Sequence, residues 1–161
     1  MENQHRLAIG KTRADFTLSS SNQDKLHVQG NGFKVEYSYD FNRLIGIHGS
    51  LEQAKKNQLA TDTIKIGADI GYPLSFGSVS FKPFIASGLF YYDEPGYEKP
   101  GYEEPGYSKP GYDDLGPYYG FGLRIHYLSA FVEARKDYLN MQFNRGDLEL
   151  EQVALTLGFG F

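Results

Sequence analysis

The last nine residues of the chain read Val153-Ala154-Leu155-Thr156-Leu157-Gly158-Phe159-Gly160-Phe161. Side chains alternate between the two faces of a β-strand, so the bulky apolar residues of this stretch all fall on one face. That face carries Val153, Leu155, Leu157, Phe159 and Phe161. The pattern predicts a strand with one continuous apolar surface, an aromatic pair at its end, and small or polar residues on the opposite face.

The composition favours a single all-β domain over residues 1–161. The chain has 13 Tyr, 12 Phe and 19 Gly but no Cys and no Trp, and its length falls within the usual ~100 to 200 residues of one domain. The formal net charge of −4 argues against a nucleic-acid partner, because duplex binders need clustered Lys and Arg. No apolar run approaches the ~18 residues of a transmembrane helix, so only a closed barrel could carry this chain across a bilayer.

Apolar residues recur at every second position in eight segments, which predicts eight strands. The segments run over about 6–18, 33–39, 45–52, 64–72, 79–92, 119–126, 132–138 and 153–161. Two registers stay open. In the first segment Leu7 and Ile9 fit one face whereas Ala14, Phe16 and Leu18 fit the other, and the fifth segment is apolar on both faces.

The connections between the predicted strands alternate between long and short. Four long polar connections cover about 19–31, 53–62, 93–117 and 139–146, and three short ones cover 40–43, 75–78 and 127–129. Long loops at one end of an up-and-down meander and tight turns at the other are typical of an outer-membrane barrel. A soluble meander has no reason to sort its loops in this way.

Glycines decide which face of the sheet we expect inside. A soluble lipocalin-like barrel would show the same alternation with its apolar face inward. Here the charged face also carries Gly46, Gly67, Gly71, Gly120, Gly122, Gly158 and Gly160. On a solvated surface glycine only weakens a strand, whereas inside a narrow eight-stranded barrel it makes room for long charged neighbours. We therefore expect the charged face inside and the apolar face in lipid. The aromatic residues at strand ends would form the interfacial girdle. They are Tyr37, Tyr39, Tyr72, Phe159 and Phe161.

The inward face would hold nine charged residues. They are Lys34, Glu36, Glu52, Lys65, Asp69, Arg124, Glu133, Arg135 and Asp137. They could form a catalytic cluster, an ion path or a structural network of salt bridges. Buried charges are kept where they are paired, and an eight-stranded lumen is too full to conduct. We therefore predict an eight-stranded antiparallel up-and-down transmembrane β-barrel with a polar, side-chain-filled interior, in which these charges are structural.

Four stretches resemble the OmpX and Ail family of small eight-stranded outer-membrane proteins. They are Gly32-Phe33-Lys34-Val35-Glu36-Tyr37-Ser38-Tyr39, Ile47-His48-Gly49-Ser50-Leu51, Tyr119-Gly120-Phe121-Gly122-Leu123 and Gly158-Phe159-Gly160-Phe161. Together with the strand order and the alternation of loops, the resemblance covers most of the chain. The sequence departs from the family pattern at Gly160, where members usually carry a basic residue, and in a repeat within the third long loop.

The resemblance implies a monomer in the bacterial outer membrane with its loops displayed outside the cell. Several members of the family adhere to host surfaces or resist complement. A terminal strand that closes on Phe161 resembles the signal that the barrel-assembly machinery reads, and membrane lipid and lipopolysaccharide are the surrounding partners implied. Residues 1–5 have no basic start and no apolar segment of a signal peptide. If the protein is exported, we expect this numbering to be that of a mature chain with an added Met.

The third long loop contains a four-fold pentapeptide repeat that begins at Pro95. Each unit places Pro and Gly where a type II turn requires them, followed by a tyrosine. Tyrosine offers contact area and a hydroxyl at low entropic cost, so binding loops favour it. The candidate ligand-binding residues are Tyr97, Tyr102, Tyr107 and Tyr112. The alternative is a flexible expansion without a partner, produced by repeat slippage.

The sequence predicts neither an enzyme nor a cofactor or metal site. The four histidines are scattered without ligand spacing. His48 and Ser50 on one strand are the nearest approach to a nucleophile and base, but a filled interior would exclude substrate. The leading hypothesis is surface recognition or adhesion, with a host or neighbouring-cell surface protein as partner. A passive structural envelope protein is the alternative, and a small outer-membrane enzyme ranks below both.

Overall fold

The computed structural model describes residues 4–19, 25–56, 59–94, 112–143 and 146–161. The strands are β1 His5–Ser19, β2 Lys25–Asp40, β3 Ile45–Lys56, β4 Leu59–Gly71, β5 Leu74–Phe76, β6 Val79–Glu94, β7 Tyr112–Tyr127, β8 Ala130–Phe143 and β9 Gly146–Gly160. All pairings are antiparallel, and the sheet closes through β1–β9 and β4–β6. β5 continues β4 beyond Pro73, so the wall has eight strands, as predicted. Within these ranges no helix is long and apolar enough to span a membrane.

The two faces of the wall differ as the alternation predicted. On β4, Lys65 is 1% exposed whereas its neighbour Ile66 is 69% exposed. The same alternation continues along β9, where Leu155 and Leu157 point outward and Thr156 is buried. A wall with charges inside and Ile, Leu and Phe outside is stable only in an apolar surrounding. The fold is therefore that of a transmembrane barrel.

The structure determines the registers of β1 and β6, which the sequence left open. β1 pairs without a break from His5 to Ser19, which turns Leu7 and Ile9 outward and Ala14 inward. In β6, Phe84 and Phe90 are buried and Ile85 is exposed. Both strands have apolar residues on each face because part of the barrel interior is itself apolar.

That apolar part is a layer between the interior charges and the long loops. It consists of Ala14, Ala54, Phe90, Tyr92, Tyr118, Leu139 and Leu150. The charged part of the predicted filling thus lies in the half of the interior nearer the tight turns, and the apolar layer lies nearer the long loops, together with the buried polar residues Thr61 and Gln152. The layer was not predicted, since its members lie on strands whose register was open or outside the predicted strands.

The strands also extend further than predicted at the long-loop end. The last pairs of the four long hairpins are Ser19↔Lys25, Lys56↔Leu59, Glu94↔Tyr112 and Phe143↔Gly146. Large parts of the segments read as loops are therefore strand, and the predicted loop bounds were wrong. Strands that continue beyond the lipid have no apolar outer face, so their polar residues look like loop residues in the sequence.

Specific side chains and backbone angles fix the tight turns. The Asn42 Oδ1 atom accepts hydrogen bonds from the N–H groups of Leu44 and Ile45, both at 2.8 Å, as short polar side chains do in turns. Gly77 has a φ of +62° in the turn after β5, and Leu128 has a φ of +54° in the turn after β7. Glycine adopts this conformation freely, whereas leucine does so at a cost.

Candidate functional site

Six of the nine predicted interior charges form a closed ring in which the signs alternate. Following the chain of contacts, the ring runs through Glu52, Lys65, Asp137, Arg135, Glu36 and Lys34 and returns to Glu52. The consecutive N–O distances are 2.8, 2.6, 2.7, 3.3, 2.8 and 3.7 Å. Every member is almost fully buried. Three positive and three negative charges leave the six-charge ring neutral, which is the condition under which buried charges are tolerated.

The other three predicted charges join a second group nearer the tight turns, which we call the tight-turn cluster. It consists of Arg6, Asp40, Asp69, Lys82, Arg124 and Glu133. Arg124 Nη2 lies 2.6 Å from Glu133 Oε2, and Lys82 Nζ lies 3.5 Å from Asp69 Oδ1. Arg6 forms an ion pair with Asp40.

Sequence reasoning missed three members of the tight-turn cluster. Arg6 and Lys82 belong to the two strands whose register was open, and Asp40 was assigned to a turn. Arg6 faces Gly160 across the β1–β9 ladder. A search for charges opposite inward glycines would have found it.

His48 and Ser50 do not form a catalytic pair. The Ser50 hydroxyl donates to Glu52 Oε1 at 3.5 Å. Arg135 Nη2 donates to His48 Nε2 at 3.0 Å, and the Tyr118 hydroxyl lies 2.5 Å from the same nitrogen. The Nε2 atom of His48 thus has two polar partners, neither of which is Ser50, and His48 is buried. The pair belongs to the structural filling of the barrel.

Buried side chains fill the interior of the described part of the barrel. The six-charge ring spans the lumen, and the apolar layer lies above it. No group of three or more His, Cys, Asp or Glu in the described ranges is placed to hold a metal ion. The surfaces available for function in these ranges are the two ends and the outer wall.

The loop with the tyrosine repeat begins and ends on one hairpin. β6 and β7 pair in register from Val79↔Tyr127 up to Glu94↔Tyr112. Tyr112, the fourth repeat tyrosine, is the first residue of β7. Tyr97, Tyr102 and Tyr107 lie outside the described residues. The hairpin brings the two ends of the repeat side by side at the long-loop end of the wall.

The outer wall near the long loops carries a group of cations, which we call the basic patch. It consists of Lys11, Arg13, Lys55 and Lys136, all on the outward face of the wall, and Arg13 Nε lies 3.3 Å from Asp15 Oδ2. Arg13 and Lys136 flank Val153 from its two sides in the ladder. Lys136 Nζ lies 2.8 Å from Glu151 Oε2 and 4.8 Å from the centre of the Tyr138 ring. The patch lies above the continuous apolar surface, where lipid headgroups are expected.

The terminal strand lies where the sequence placed it. The side chains of Val153, Leu155, Leu157, Phe159 and Phe161 are all exposed on the outer wall. β9 closes the barrel on β1, and backbone hydrogen bonds join Phe161 and His5. The His5 ring stacks on that of Phe161 with centroids 5.7 Å apart.

The fold is similar to those of several solved outer-membrane proteins. Ail, the attachment invasion locus protein of Yersinia pestis, is 18% identical with a TM-score of 0.62, and the match covers 100% of both chains. Neisserial surface protein A is 13% identical with a TM-score of 0.58, covering 96% of this chain and 97% of that one. The outer-membrane enzyme PagL is 9% identical with a TM-score of 0.61, covering 93% and 99%.

At these identities the likeness establishes the fold and not the activity. No protein-family model matches the sequence, and no curated protein matches it. The structural neighbours agree with the resemblance seen in the sequence. The chain therefore has the eight-stranded barrel fold of Ail and other outer-membrane proteins.

Proposed function

We propose that this chain is an outer-membrane surface protein that displays its tyrosine repeat for adhesion or surface recognition. The observation that carries the proposal is the pairing of Glu94 with Tyr112. It places both ends of the repeat on one ordered hairpin of a rigid wall, at the end opposite the tight turns. In outer-membrane barrels the long loops face the exterior.

The filled interior supports the proposal because it argues against transport or catalysis inside the barrel. A lumen closed by the six-charge ring and the apolar layer neither conducts nor admits a substrate. The His48 and Ser50 side chains are used for packing, which supports a non-enzymatic protein. Function then falls to the loops and to the outer wall, as is usual for a rigid scaffold.

The repeat itself supports recognition through multiple contacts. Four tyrosines at five-residue spacing let each further contact form at an effective concentration that reaches the millimolar range. The names of two proteins with this fold, the attachment invasion locus protein and a surface protein, fit the same role. The ligand class we propose is a protein on a host or neighbouring cell.

The test compares adhesion of cells that lack other adhesins and express variants of this protein. We expect adhesion to fall stepwise as Tyr97, Tyr102, Tyr107 and Tyr112 are changed to Ser. The matched Tyr→Phe series keeps the rings and controls for the loss of aromatic area. Heat-modifiable migration on gels checks that each barrel is folded. Unchanged adhesion and complement survival after deletion of residues 95–111 would reject the proposal and leave the loop as a spacer.

The basic patch favours a second candidate, a structural envelope protein that binds lipopolysaccharide. Lys11, Arg13, Lys55 and Lys136 lie at the level of the lipid headgroups, where phosphates attract Lys and Arg. The discriminating measurement is outer-membrane permeability to a hydrophobic dye. If Arg13→Gln and Lys136→Gln raise permeability while loss of the repeat changes nothing, the structural function takes the lead.

A further inference from the structure

The apolar outer face of the wall continues into the hairpin formed by β5 and β6. The ladder between β3 and β4 ends at Ile45↔Ile70, and β5 lies beyond that end, paired with β6. Leu74 and Phe76 are on its outward face, and Phe76 is 68% exposed although it directly precedes the turn. Residues 72–78 contain no charged side chain. The polar boundary expected where a strand leaves the membrane is therefore absent from residues 72–78.

The turn between β2 and β3 continues the same apolar face. The rings of Tyr39 and Phe41 meet edge to face with centroids 5.4 Å apart. Phe41 and Leu44 are 58% and 43% exposed. Together with Leu74 and Phe76 they form what we call the apolar rim. Exposed apolar groups of this size mark a surface that contacts protein or membrane.

The backbone of the β2–β3 turn is suited to leave water. The N–H groups of Phe41 and Asn42 donate to the carbonyl oxygen of Ile45 at 3.0 and 3.4 Å. Those of Leu44 and Ile45 donate to Asn42 Oδ1. A backbone N–H without a partner is costly away from water. These four have partners within the turn, so covering the turn with lipid leaves none of them unpaired.

The opposite side of the barrel shows how far the membrane must reach. Outward lysines mark the upper end of the hydrocarbon, because their amines stay at the headgroup level. β8 begins at Ala130 and reaches Lys136 after six residues, and β1 begins at His5 and reaches Lys11 after six. At ~3.3 Å per residue and a tilt of ~40°, this stretch is about 15 Å tall.

The apolar band of an outer-membrane barrel is ~25 Å tall, so about 10 Å of it lies below the level where β8 and β1 begin. Snorkelling of the lysine side chains recovers only part of this difference. The hydrocarbon therefore reaches the level of the tight turns. The apolar rim supplies apolar side chains at that level.

We propose that the apolar rim is seated in the inner leaflet of the membrane, at the boundary between acyl chains and headgroups. Phospholipid covers it, because the rim is continuous with the wall that faces lipid. Arg43 is the one charged residue of residues 41–44 and 72–78, and Arg is tolerated at the headgroup level. The mouth of the barrel then opens within the headgroup layer. The rim lies at the end opposite the repeat, so its seating is independent of adhesion.

The first test uses the absence of tryptophan from the sequence. Phe76→Trp and Phe41→Trp place a single Trp in each turn of the full chain, refolded in phosphatidylcholine bilayers. Ile66→Trp marks the middle of the wall, and Asp93→Trp marks an exposed position near the long loops. We expect the two turn variants to lose roughly half of their fluorescence to lipid brominated near the carbonyl end of its acyl chains. They should resist aqueous iodide, which quenches Asp93→Trp.

The second test separates cover by lipid from cover by the barrel. Shorter acyl chains thin the bilayer, and the basic patch holds its upper boundary in place, so a thin bilayer withdraws from the turns. Between oleoyl and lauroyl bilayers, iodide quenching of Phe76→Trp should rise roughly twofold. That of Asp93→Trp should stay constant. Heat-modifiable migration on gels checks that each variant is folded.

Two results would overturn the proposal. If either folded turn variant is quenched by iodide as strongly as Asp93→Trp in oleoyl bilayers, the rim is in water and open to a protein partner. If Phe76→Trp is equally protected from iodide in both bilayers, the barrel itself covers this position and lipid does not.

Discussion

Lys65 on β4 and Asp137 on β8 meet inside the barrel, with Nζ 2.6 Å from Oδ2. These strands are not neighbours in the sheet, so the ion pair crosses the lumen. Backbone ladders hold each strand only to its two neighbours. The six-charge ring adds cross-lumen contacts among β2, β3, β4 and β8. We conclude that the ring braces the wall and keeps the barrel filled.

The first prediction concerns the ring. Arg135→Ala removes the partner that lies 2.7 Å from Asp137 and 3.3 Å from Glu36. The ring then has one more negative than positive charge in a buried site, which should lower the free energy of unfolding by ~3 to 5 kcal/mol. Urea unfolding in detergent micelles measures it. The control is Lys136→Ala, whose side chain is on the outer wall and should change stability little. Equal midpoints for the two variants would show that the ring does not brace the wall.

The second prediction concerns the inward glycines. A Cβ at Gly122 would lie 2.5 Å from the Phe84 ring and 2.7 Å from the carbonyl oxygen of Ala134, whereas a Cβ at Gly49 would have no neighbour closer than 3.8 Å. Gly122→Ala should therefore destabilise the barrel by ~1 to 3 kcal/mol through overpacking. Gly49 lies on the outward face of β3 and is the control, and Gly49→Ala should be neutral or stabilising, because alanine is less flexible than glycine. If both variants unfold at the same urea concentration, the interior is not filled as described.

The third prediction concerns the strained turn. Leu128 has a φ of +54° and Gly77 a φ of +62° in corresponding two-residue turns. Leu128→Gly should raise the free energy of unfolding by roughly 1 kcal/mol, since it removes the cost of a left-handed leucine and adds the smaller entropic cost of glycine. The same measurement on Gly77→Leu should show a loss of similar or larger size. A loss of stability in Leu128→Gly would mean that the leucine side chain stabilises this turn.

Much of the wall was predictable from the sequence because one physical rule governs it. Period-two alternation is strong wherever one face meets lipid and the other meets charges, as on β4 around Lys65 and Ile66. The inward glycines separated this case from a soluble barrel. The same reasoning placed all nine predicted charges in the interior, although it could not tell which charges pair.

The period-two alternation failed to identify the inner face in the part of the wall near the long loops. Near the long loops the barrel interior contains the apolar layer and the outer wall faces water. Phe90 and Ala14 therefore invert the pattern that identifies the inner face. The extension of β6 and β7 to Glu94 and Tyr112 was hidden for the same reason. The end of the β3–β4 ladder at Ile45↔Ile70 is also not encoded in the local sequence.

The orientation of the two faces is the central claim, and the absence of cysteine from the sequence allows a direct test. Single cysteines introduced at Leu51, Ile66 and Leu157 would carry nitroxide spin labels in a lipid bilayer, and their collision rates with oxygen and with a polar nickel complex would be measured. Oxygen partitions into hydrocarbon whereas the nickel complex stays in water. We predict high oxygen and low nickel accessibility at all three positions, with the barrel heat-modifiable. High nickel accessibility at these positions in the folded protein would contradict the assignment of the apolar face to lipid.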